Sequence, residues 1–441
     1  MYQNVIYREV ALKLTVAGYK SIGEARAIDV KGLTILSGAN SSGKSSFMQP
    51  LLLIKQTLEN EFDAGGLLLD GPNVRVTDST QIVSRVDGSN KEFMSIDLEE
   101  ATRKTSVSYK FRQRLGIHAA IITIRSNDYP NGLEITPNMS SSVIEEMIKK
   151  SGKDFPFPKI FKGQRLNYKI VRDRCFLDVG ITLSGEKLPF TIGISPASPI
   201  GHYARRLIHV PGLRGNPERS YKTAASENKF PGSFERYVAS IVHAWRTTRR
   251  HKAKFVRLVE QMNALGLASS LGTTPINDTR LEITISRYRG ESVSSKDFVN
   301  IADVGFGVSQ TLPVLVALLT ADKGQIVYIE QPELHLHPRA QYKLAEIIAE
   351  AVNRGVLVVI ETHSSILIRG VQTLVAKGKM DRDVISLNWF TQSLSCGQSE
   401  ISSAKLDEYG AFGDWPEDFD TVALDAEGAY LDAVEEASRA S

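Results

Sequence analysis

The sequence predicts a mixed α/β fold built around a parallel sheet, and three stretches carry this prediction. Residues 38–45 form a glycine-rich turn between an apolar stretch and a helix-forming stretch. Residues 325–330 and 356–361 are two further short apolar stretches, and each ends in a glutamate. Short apolar runs of this kind are typical of strands that are buried on both faces. The chain therefore reads as strands that alternate with helices.

The glycine-rich turn, Gly-Ala-Asn-Ser-Ser-Gly-Lys-Ser, fits the phosphate-binding pattern of a P-loop. It follows the apolar strand Leu33 to Leu36 and precedes a helix that we expect from Phe47 to Leu58, with Pro50 in the first turn. In such a loop, backbone N–H groups and the positive end of the helix surround a polyphosphate. The pattern predicts ATP and Mg²⁺ as cofactors.

The residues of this loop have separate expected roles. Lys44 reaches the outer phosphates, and the hydroxyl of Ser45 coordinates Mg²⁺. The candidate nucleotide-binding residues of the loop are Gly38, Asn40, Ser41, Ser42, Gly43, Lys44, Ser45 and Ser46.

Length and composition limit the class of protein. With 441 residues, the chain is longer than one ordinary domain and is expected to form two or three lobes. No apolar run approaches the length of a membrane-spanning helix, and residues 1–10 do not resemble a secretory signal. The two cysteines, Cys175 and Cys396, indicate reduced thiols rather than a disulfide framework. We expect a cytoplasmic protein without membrane contact.

Charge is distributed unevenly along the chain. The formal net charge is only +3, but residues 201–260 hold 13 Lys and Arg against 4 Asp and Glu. Residues 407–441 hold 11 acidic residues against one arginine. Such asymmetry indicates interaction surfaces of opposite sign, or else two solvated faces.

The chain is predicted to consist of five successive parts. Residues 67–200 contain short apolar runs separated by turn residues, which is typical of an antiparallel sheet. One helix, Ser141 to Lys150, interrupts them, with Ser142 to Glu145 as its capping box. The five parts are an N-terminal nucleotide-binding part (1–66), a β-rich insertion (67–200), a basic loop with a helical subdomain (201–280), a C-terminal nucleotide-binding part (281–390) and an acidic extension (391–441).

The C-terminal nucleotide-binding part supplies further candidate residues. Asp303 to Gln310 reads Asp-Val-Gly-Phe-Gly-Val-Ser-Gln and opens an apolar helix to about Leu319. The next strand ends at Glu330, where a carboxylate can hold the Mg²⁺ shell opposite the P-loop. The strand after it ends in Glu361-Thr362-His363.

The order of these motifs resembles that of the ABC-type ATPase heads of the SMC, RecF and OLD class. A closer resemblance is to a prokaryotic group of stand-alone ATPases often found beside effector genes. It is carried by the segments Asp303 to Gln310 and Glu330 to Pro338. This group includes the PtuA family, the ATPase subunits of Septu anti-phage systems, which work with an HNH nuclease. Val210 to Tyr221 and the late Asp407 to Pro416 are also similar to that group.

The resemblance implies an ABC-type ATPase head that binds ATP between two copies of the chain. Ser309, followed by Gln310, would reach the γ-phosphate of the nucleotide on the opposite copy from the N-terminus of its helix. His363 corresponds to the switch histidine of such heads. A glutamine that senses Mg²⁺ is also implied, either Gln56 or Gln81. The chain would act as the sensor and regulatory subunit of a defence complex that controls a separate effector, such as an HNH nuclease.

One departure from the family pattern concerns hydrolysis. The usual Asp-Glu pair after the second strand reads Glu330-Gln331 in this chain. Glutamine cannot accept a proton, so Gln331 is not a general base. We expect Glu330 to belong to the Mg²⁺ shell with a possible role as base, and Glu333 to be the reserve. Otherwise hydrolysis is slow and ATP serves mainly as a structural ligand.

An alternative interpretation is a DNA-repair or chromosome-associated ATPase of RecF or SMC type that binds DNA directly. It would use the basic region 201–260, including the run Arg246 to Lys254. That run is a solvated face or a protein interface about as often as a DNA contact. Charge reversal at Arg249, Arg250 and Lys252 would separate these interpretations, because it should weaken only genuine, salt-dependent DNA binding.

Overall fold

The computed structural model describes residues 12–86, 88–112, 116–151, 166–183, 192–225, 229–286, 288, 297–413 and 427–434. Most of the acidic segment 407–441, including Trp415 and Pro416, lies outside these residues. No helix in the described ranges is both long and apolar enough to cross a membrane.

The described strands, β1 to β21, fall into a central sheet, a large antiparallel sheet, and smaller sheets and a ribbon. The central sheet contains β3 (Leu33–Gly38), β13 (Ile208–Val210), β18 (Ile326–Glu330), β19 (Leu357–Glu361), β20 (Ile385–Gln392) and β21 (Ser399–Ala404). The large antiparallel sheet contains β1 (Leu12–Ala17), β2 (Arg26–Val30), β6 (Phe93–Glu100), β7 (Arg103–Arg112), β8 (Gly116–Ser126) and β9 (Tyr129–Ile135). The others are β4 (Arg85–Val86), β5 (Ser89–Asn90), β10 (Leu166–Asp173), β11 (Phe176–Leu183), β12 (Ile192–Ile194), β14 (Tyr221–Lys222), β15 (Ser270–Asn277), β16 (Arg280–Ser286) and β17 (Val299–Asn300).

Eight α-helices of the described residues are named in chain order. They are α1 (Lys44–Glu59), α2 (Ser141–Lys150), α3 (Ser198–Arg206), α4 (Glu235–Thr247), α5 (Lys252–Ala264), α6 (Phe306–Thr320), α7 (Pro338–Asn353) and α8 (Ser365–Ala376). Short 3₁₀ turns lie at Ser79–Gln81, Arg249–His251, Ile301–Asp303 and Arg382–Val384.

The central sheet has the strand order β13-β18-β19-β3-β20-β21. Its first five strands are parallel, and only β21 pairs antiparallel, with β20. Every residue of β3 and β19 is buried, as expected for parallel strands covered on both faces. Because the strands are parallel, β3, β18 and β19 end at the same edge of the sheet, where the loops that carry function usually lie.

Different elements cover the two faces of the central sheet. Helices α4 to α8 pack in one hydrophobic core with inward residues such as Ile35 and Ile329. Helices α1 and α3 and the large antiparallel sheet pack in a second core with Leu36 and Tyr328. Neighbouring residues of one strand enter different cores because successive side chains of a strand point to opposite faces. The predicted α/β fold, with an antiparallel β region and a helical subdomain, is confirmed.

The large antiparallel sheet combines strands from both sides of residue 67. Its order is β2-β1-β6-β7-β8-β9, so the first two strands of the chain pair with four strands of the predicted insertion. The strands on either side of that predicted boundary therefore share one sheet.

The helical subdomain is a hairpin of α4 and α5 that packs against α6. Its tip contains Arg249, Arg250 and Lys252, and all three side chains are exposed. Each helix places one stripe of residues, including Val242 and Leu258, in the core, in agreement with the predicted helical subdomain.

Two local expectations are wrong. Ser142 does not cap α2: the N-cap is Ser140, no side-chain cap bond forms, and Glu145 instead pairs with Lys149. Pro50 lies inside α1 rather than in its first turn, because the helix begins at Lys44, directly after the glycine-rich loop.

Candidate nucleotide-binding site

The glycine-rich loop joins β3 to α1 at the carboxyl edge of the central sheet. Gly38, Ser41 and Gly43 have φ values of 136°, 62° and 102°, and such left-handed backbone turns successive N–H groups inward. A Cβ atom on Gly38 would lie 2.1 Å from the backbone oxygen of Phe390 in β20. Glycine is therefore required where β3 ends, and the sequence places it there.

Lys44 is buried at the start of α1. Its Nζ donates hydrogen bonds to the backbone oxygens of Gly38, at 3.0 Å, and Ala39, at 2.6 Å. Burial lowers the pKa of Lys44, while the nearby carboxylate of Glu361 acts in the opposite direction. The ammonium group thus lies inside the loop, where it can meet a phosphate.

The other loop residues differ in exposure. Asn40 and Ser41 are exposed, Ser46 is half-buried, and Ser42 is buried. The Ser42 hydroxyl has no hydrogen-bond partner among the described residues. The exposed tip and the inward-facing base together leave the concave side of the loop open to a ligand.

Ser45 contacts a carboxylate that the sequence analysis did not assign. Its Oγ donates to Glu361, at 3.0 Å from Oε1 and 2.8 Å from Oε2. The Tyr328 hydroxyl donates to Oε2 of the same carboxylate at 3.1 Å. Burial raises the pKa of Glu361, and the bond from Ser45 counteracts this effect. In the sequence, this contact was indicated only by a glutamate at the end of an apolar strand.

Glu330, at the end of β18, is bonded on its other side. The ring nitrogen Nε2 of His209 lies 3.1 Å from Oε1, and the N–H of Gly212 donates to Oε2 at 3.0 Å. Burial raises the pKa of Glu330, but its contacts with His209, Gly212 and Tyr328 together outweigh burial, so the pKa lies below its ordinary value. His209 also stacks on Tyr328, with 5.3 Å between the ring centres. Glu330 is therefore a carboxylate anchored by the segment after β13.

Arg214 connects the segment after β13 to the end of β18 and to α6 by hydrogen bonds. Its guanidinium donates to the backbone oxygens of Gln310, at 3.1 Å, and Glu330, at 2.7 Å. In return, the side chain of Gln310 donates to the backbone oxygens of Arg214 and Gly215. Burial lowers the pKa of Arg214 to about 10. Gln310, which was predicted to contact the nucleotide, is thus buried and links α6 to this loop by hydrogen bonds.

Glu333 supports the loop that carries His363. One carboxylate oxygen of Glu333 accepts bonds from the Thr362 hydroxyl, at 2.8 Å, and from the His363 backbone N–H, at 3.0 Å. The side chain is buried, and burial raises its pKa. Glu333 therefore helps to position the loop that carries His363.

His363 itself is exposed beside the loop. Burial of part of its ring, followed by the positive charge of Lys44, lowers the pKa of His363. The imidazole is consequently neutral at pH 7 and can donate or accept a hydrogen bond near a phosphate.

The N-terminus of α6 faces solvent. Ser309 lies in its first turn, is half-buried, and donates only to the backbone oxygen of Phe306 among the described contacts. Phe306 is 50% exposed, and its ring lies 5.9 Å from that of His335. No side-chain cap bond closes this end of the helix. A helix end without a side-chain cap is suited to an anionic ligand, because N–H groups of the first turn have no partner within the helix.

The glutamine predicted to sense Mg²⁺ has a structural role instead. Gln56 is 1% exposed, and its amide bonds the backbone of Leu68, Asn73 and Val74 with both its nitrogen and its oxygen. These bonds fix the segment after α1, so no group of Gln56 remains for a metal ion. The alternative, Gln81, is exposed and bonds Thr77 within its own turn.

The described residues thus suit a nucleoside triphosphate with Mg²⁺. The loop offers inward N–H groups and the Lys44 ammonium, and the Ser45 hydroxyl and glutamates at the strand ends are the oxygen ligands that Mg²⁺ prefers. When bound, Mg²⁺ neutralises charge that develops on the phosphates. These features define a P-loop ATPase.

The comparison with protein families agrees with this class. The family model described as "AAA domain, putative AbiEii toxin, Type IV TA system" matches residues 33–369. That range extends from β3 through α8 and includes the glycine-rich loop, both glutamate-ended strands and His363. The chain belongs to this family.

Solved structures of SMC heads are similar to the chain in fold. An SMC head bound to the C-winged helix domain of ScpA is 13% identical, with a TM-score of 0.43 over 90% of this chain and 98% of that chain. The SMC head domain from Thermotoga maritima is 12% identical, with a TM-score of 0.39 over 89% and 98%. An SMC head with an extended coiled coil, bound to the C-terminal domain of ScpA derived from Pyrococcus furiosus, is 12% identical, with a TM-score of 0.42 over 89% and 96%. At these values, no ligand or partner is transferred to this chain. No curated protein matches it.

Proposed function

We propose that the chain binds ATP between two copies of itself and serves as the sensor and regulatory subunit of a prokaryotic anti-phage defence complex. In this role it controls a separate effector, such as an HNH nuclease. The observation that carries the proposal is the open N-terminus of α6, which begins at Phe306 on the same edge of the sheet as the glycine-rich loop.

The surface around this helix end supports contact with a second copy. Leu213 is 93% exposed and lies between Gly212, bonded to Glu330, and Arg214, bonded to Gln310. Phe306 is exposed as well, and the bond from Arg214 to Gln310 joins the two segments, so we call Leu213 and Phe306 the apolar rim. A second copy would cover these side chains and remove their apolar area from water. Binding of the second copy would also bring Ser309 of one copy to the phosphates held by the other.

The defence role is supported by two sequence features. The segments Asp303 to Gln310 and Glu330 to Pro338 resemble those of PtuA, the ATPase subunit of Septu systems. The description of the matched family names a toxin–antitoxin system, which points to a partner gene product. Within the described residues, the chemistry of the site is that of nucleotide binding, so we assign the effector chemistry to the partner.

Hydrolysis is proposed to be slow. Gln331 replaces the acidic residue of the usual pair and cannot take a proton from water. Glu330 is the nearest carboxylate to it in the chain and is the proposed base, although both of its oxygens are already bonded. Slow turnover would let ATP act as a long-lived link between copies.

The shared-site proposal is tested with Ser309→Arg. The variant should bind ATP as the unaltered chain does, because Ser309 serves the neighbour's nucleotide, but it should no longer dimerise in ATP. Ser142→Arg, the same substitution in the first turn of α2, where the side chain is exposed, is the control and should dimerise normally. Light scattering after size exclusion, with and without a non-hydrolysable ATP analogue, measures both. Normal dimerisation of Ser309→Arg would exclude the shared site.

Nucleotide binding and the effector partnership need separate measurements. Lys44→Ala should abolish ATP binding in calorimetry, since the ammonium inside the loop is lost. Co-purification with the product of the adjacent gene tests the regulatory role. A chain that stays alone, and that does not alter the activity of any neighbouring gene product, would contradict the defence assignment while leaving ATP binding intact.

A further inference from the structure

Two glutamates end neighbouring strands of the central sheet and lie at different distances from the glycine-rich loop. Glu330 of β18 and Glu361 of β19 are register partners. Strand β19 is bonded directly to β3, whereas β18 is the next strand outward. Because adjacent strands are about 4.8 Å apart, the backbone of Glu361 is one strand from the loop and that of Glu330 is two strands away.

The side-chain contacts of the two glutamates agree with this difference in their distance from the loop. Both oxygens of Glu361 accept from the Ser45 hydroxyl, at 3.0 and 2.8 Å. This hydroxyl is the group that a P-loop directs toward Mg²⁺, and a carboxylate bonded to it is within reach of the same ion or its bound water. The Tyr328 hydroxyl donates to the same Oε2 atom of Glu361 at 3.1 Å and helps to hold the carboxylate in this orientation.

Glu330, in contrast, is occupied by other groups. Its Oε1 meets His209, which also bonds Asn73 at 3.1 Å, and its Oε2 accepts from the Gly212 N–H. The backbone oxygen of Glu330 additionally accepts from Arg214. Glu330 therefore joins β18 to the segment after β13, and none of the described hydrogen bonds connects it with the loop that holds phosphate.

We propose that Glu361, rather than Glu330, is the carboxylate that completes the Mg²⁺ shell together with Ser45, and that Glu330, besides its proposed role as base, holds the segment from His209 to Arg214 in place. This inference rests on the proposed binding of ATP. In the absence of Mg²⁺, the negative charge of Glu361 would face the triphosphate and oppose its binding. Affinity for ATP should therefore depend on Mg²⁺ through Glu361.

The test compares affinity for a non-hydrolysable ATP analogue in Mg²⁺ with affinity in EDTA, by calorimetry on the full chain. Glu361→Gln keeps the size of the side chain and an acceptor for Ser45 but removes the charge. We expect the ratio of the two affinities to fall at least about tenfold, as for other groups that support a metal site, while affinity in EDTA stays equal or rises. Glu330→Gln should keep the ratio within about threefold.

Glu361→Asp provides a second variant, because its shorter carboxylate should recover part of the lost ratio. Thermal unfolding without ligand shows whether each variant is folded. A parallel loss of affinity in Mg²⁺ and in EDTA would assign Glu361 a structural role and overturn the inference. So would loss of the ratio in Glu330→Gln and its retention in Glu361→Gln, with ATP binding intact. If the unaltered chain binds no analogue under either condition, the proposed function itself is wrong, and the inference with it.

Discussion

Gln331 combines an unusual backbone conformation with an unusual side chain for its position. Its φ is 45°, in the left-handed region, and its N–H donates to the backbone oxygen of Glu361 at 2.7 Å. A non-glycine residue in this region costs roughly 1–3 kcal/mol, and such residues gather at functional sites. The turn after β18 is thus held tightly against β19, and it presents an amide where related heads present a carboxylate. The slow hydrolysis that we propose would follow from this single residue.

The two cysteines occupy opposite environments at the residue scale. Cys175 is buried, and burial raises its pKa to about 12, whereas Cys396 is exposed in the turn between β20 and β21. Because the thiolate is the reactive form, Cys175 should be inert at neutral pH. A colorimetric thiol reagent should titrate one thiol in the native chain and two in denaturant. Cys396→Ser should remove the native signal, and a remaining fast thiol would contradict the buried position of Cys175.

At the scale of elements, the site depends on how closely β3 lies against β20. Gly38 is the last residue of β3 and pairs with Phe390 in the register of these two strands. The turn after it is closed from outside by Ser399 of β21, whose hydroxyl donates to the backbone oxygen of Ser42 at 2.6 Å. The C-terminal hairpin of the sheet therefore shapes the phosphate loop, although it lies more than 350 residues away in sequence.

Gly38→Ala tests this close packing. Its Cβ would lie 2.1 Å from a backbone oxygen, and a φ of 136° disfavours any side chain, so one of the two strands must move. We expect the free energy of unfolding to fall by more than about 2 kcal/mol, as for other strained backbone positions. Gly193→Ala has open space around its Cβ and should change stability by less than about 0.5 kcal/mol. Equal stabilities in denaturant unfolding would contradict the close contact.

At the scale of the whole molecule, the segment after β13 connects the sheet edge, α6 and the exposed rim. Arg214 bonds backbone oxygens in α6 and at the end of β18, and the neighbouring Leu213 points to solvent. A change at the glutamate of β18 can therefore reach the surface that we propose is covered by a second copy. This arrangement would couple the state of the nucleotide to assembly through a few buried bonds.

Glu330→Gln tests that coupling. The variant should still bind ATP, because the P-loop and Glu361 are unaltered, but it should hydrolyse ATP more slowly and remain dimeric longer. Its bonds to His209 and Gly212 lose the full negative charge that makes them strong. Phosphate release under single-turnover conditions, followed together with light scattering, measures both effects. Turnover equal to that of the unaltered chain would remove Glu330 from the hydrolytic step.

The local pattern of residues was enough to predict the class of fold and the phosphate loop. The strand at Leu33, the glycines and Lys44 are contiguous, so spacing alone reveals their chemistry. Helix α2 was predicted with its correct bounds, but its cap was not, because several serines follow one another at that end and the N-cap is Ser140 rather than Ser142.

The tertiary structure determined which residues that are distant in sequence contact one another. Gln56 lies on the helix that follows the loop and looked available to a metal, yet the chain folds back and uses all of its amide. In the sequence, Glu361 is simply the last residue of an apolar strand, and only the strand order shows that it lies beside Ser45. Sequence records which groups exist and how they are spaced along the chain, whereas strand order and burial, which arise from contacts over hundreds of residues, determine which of those groups meet.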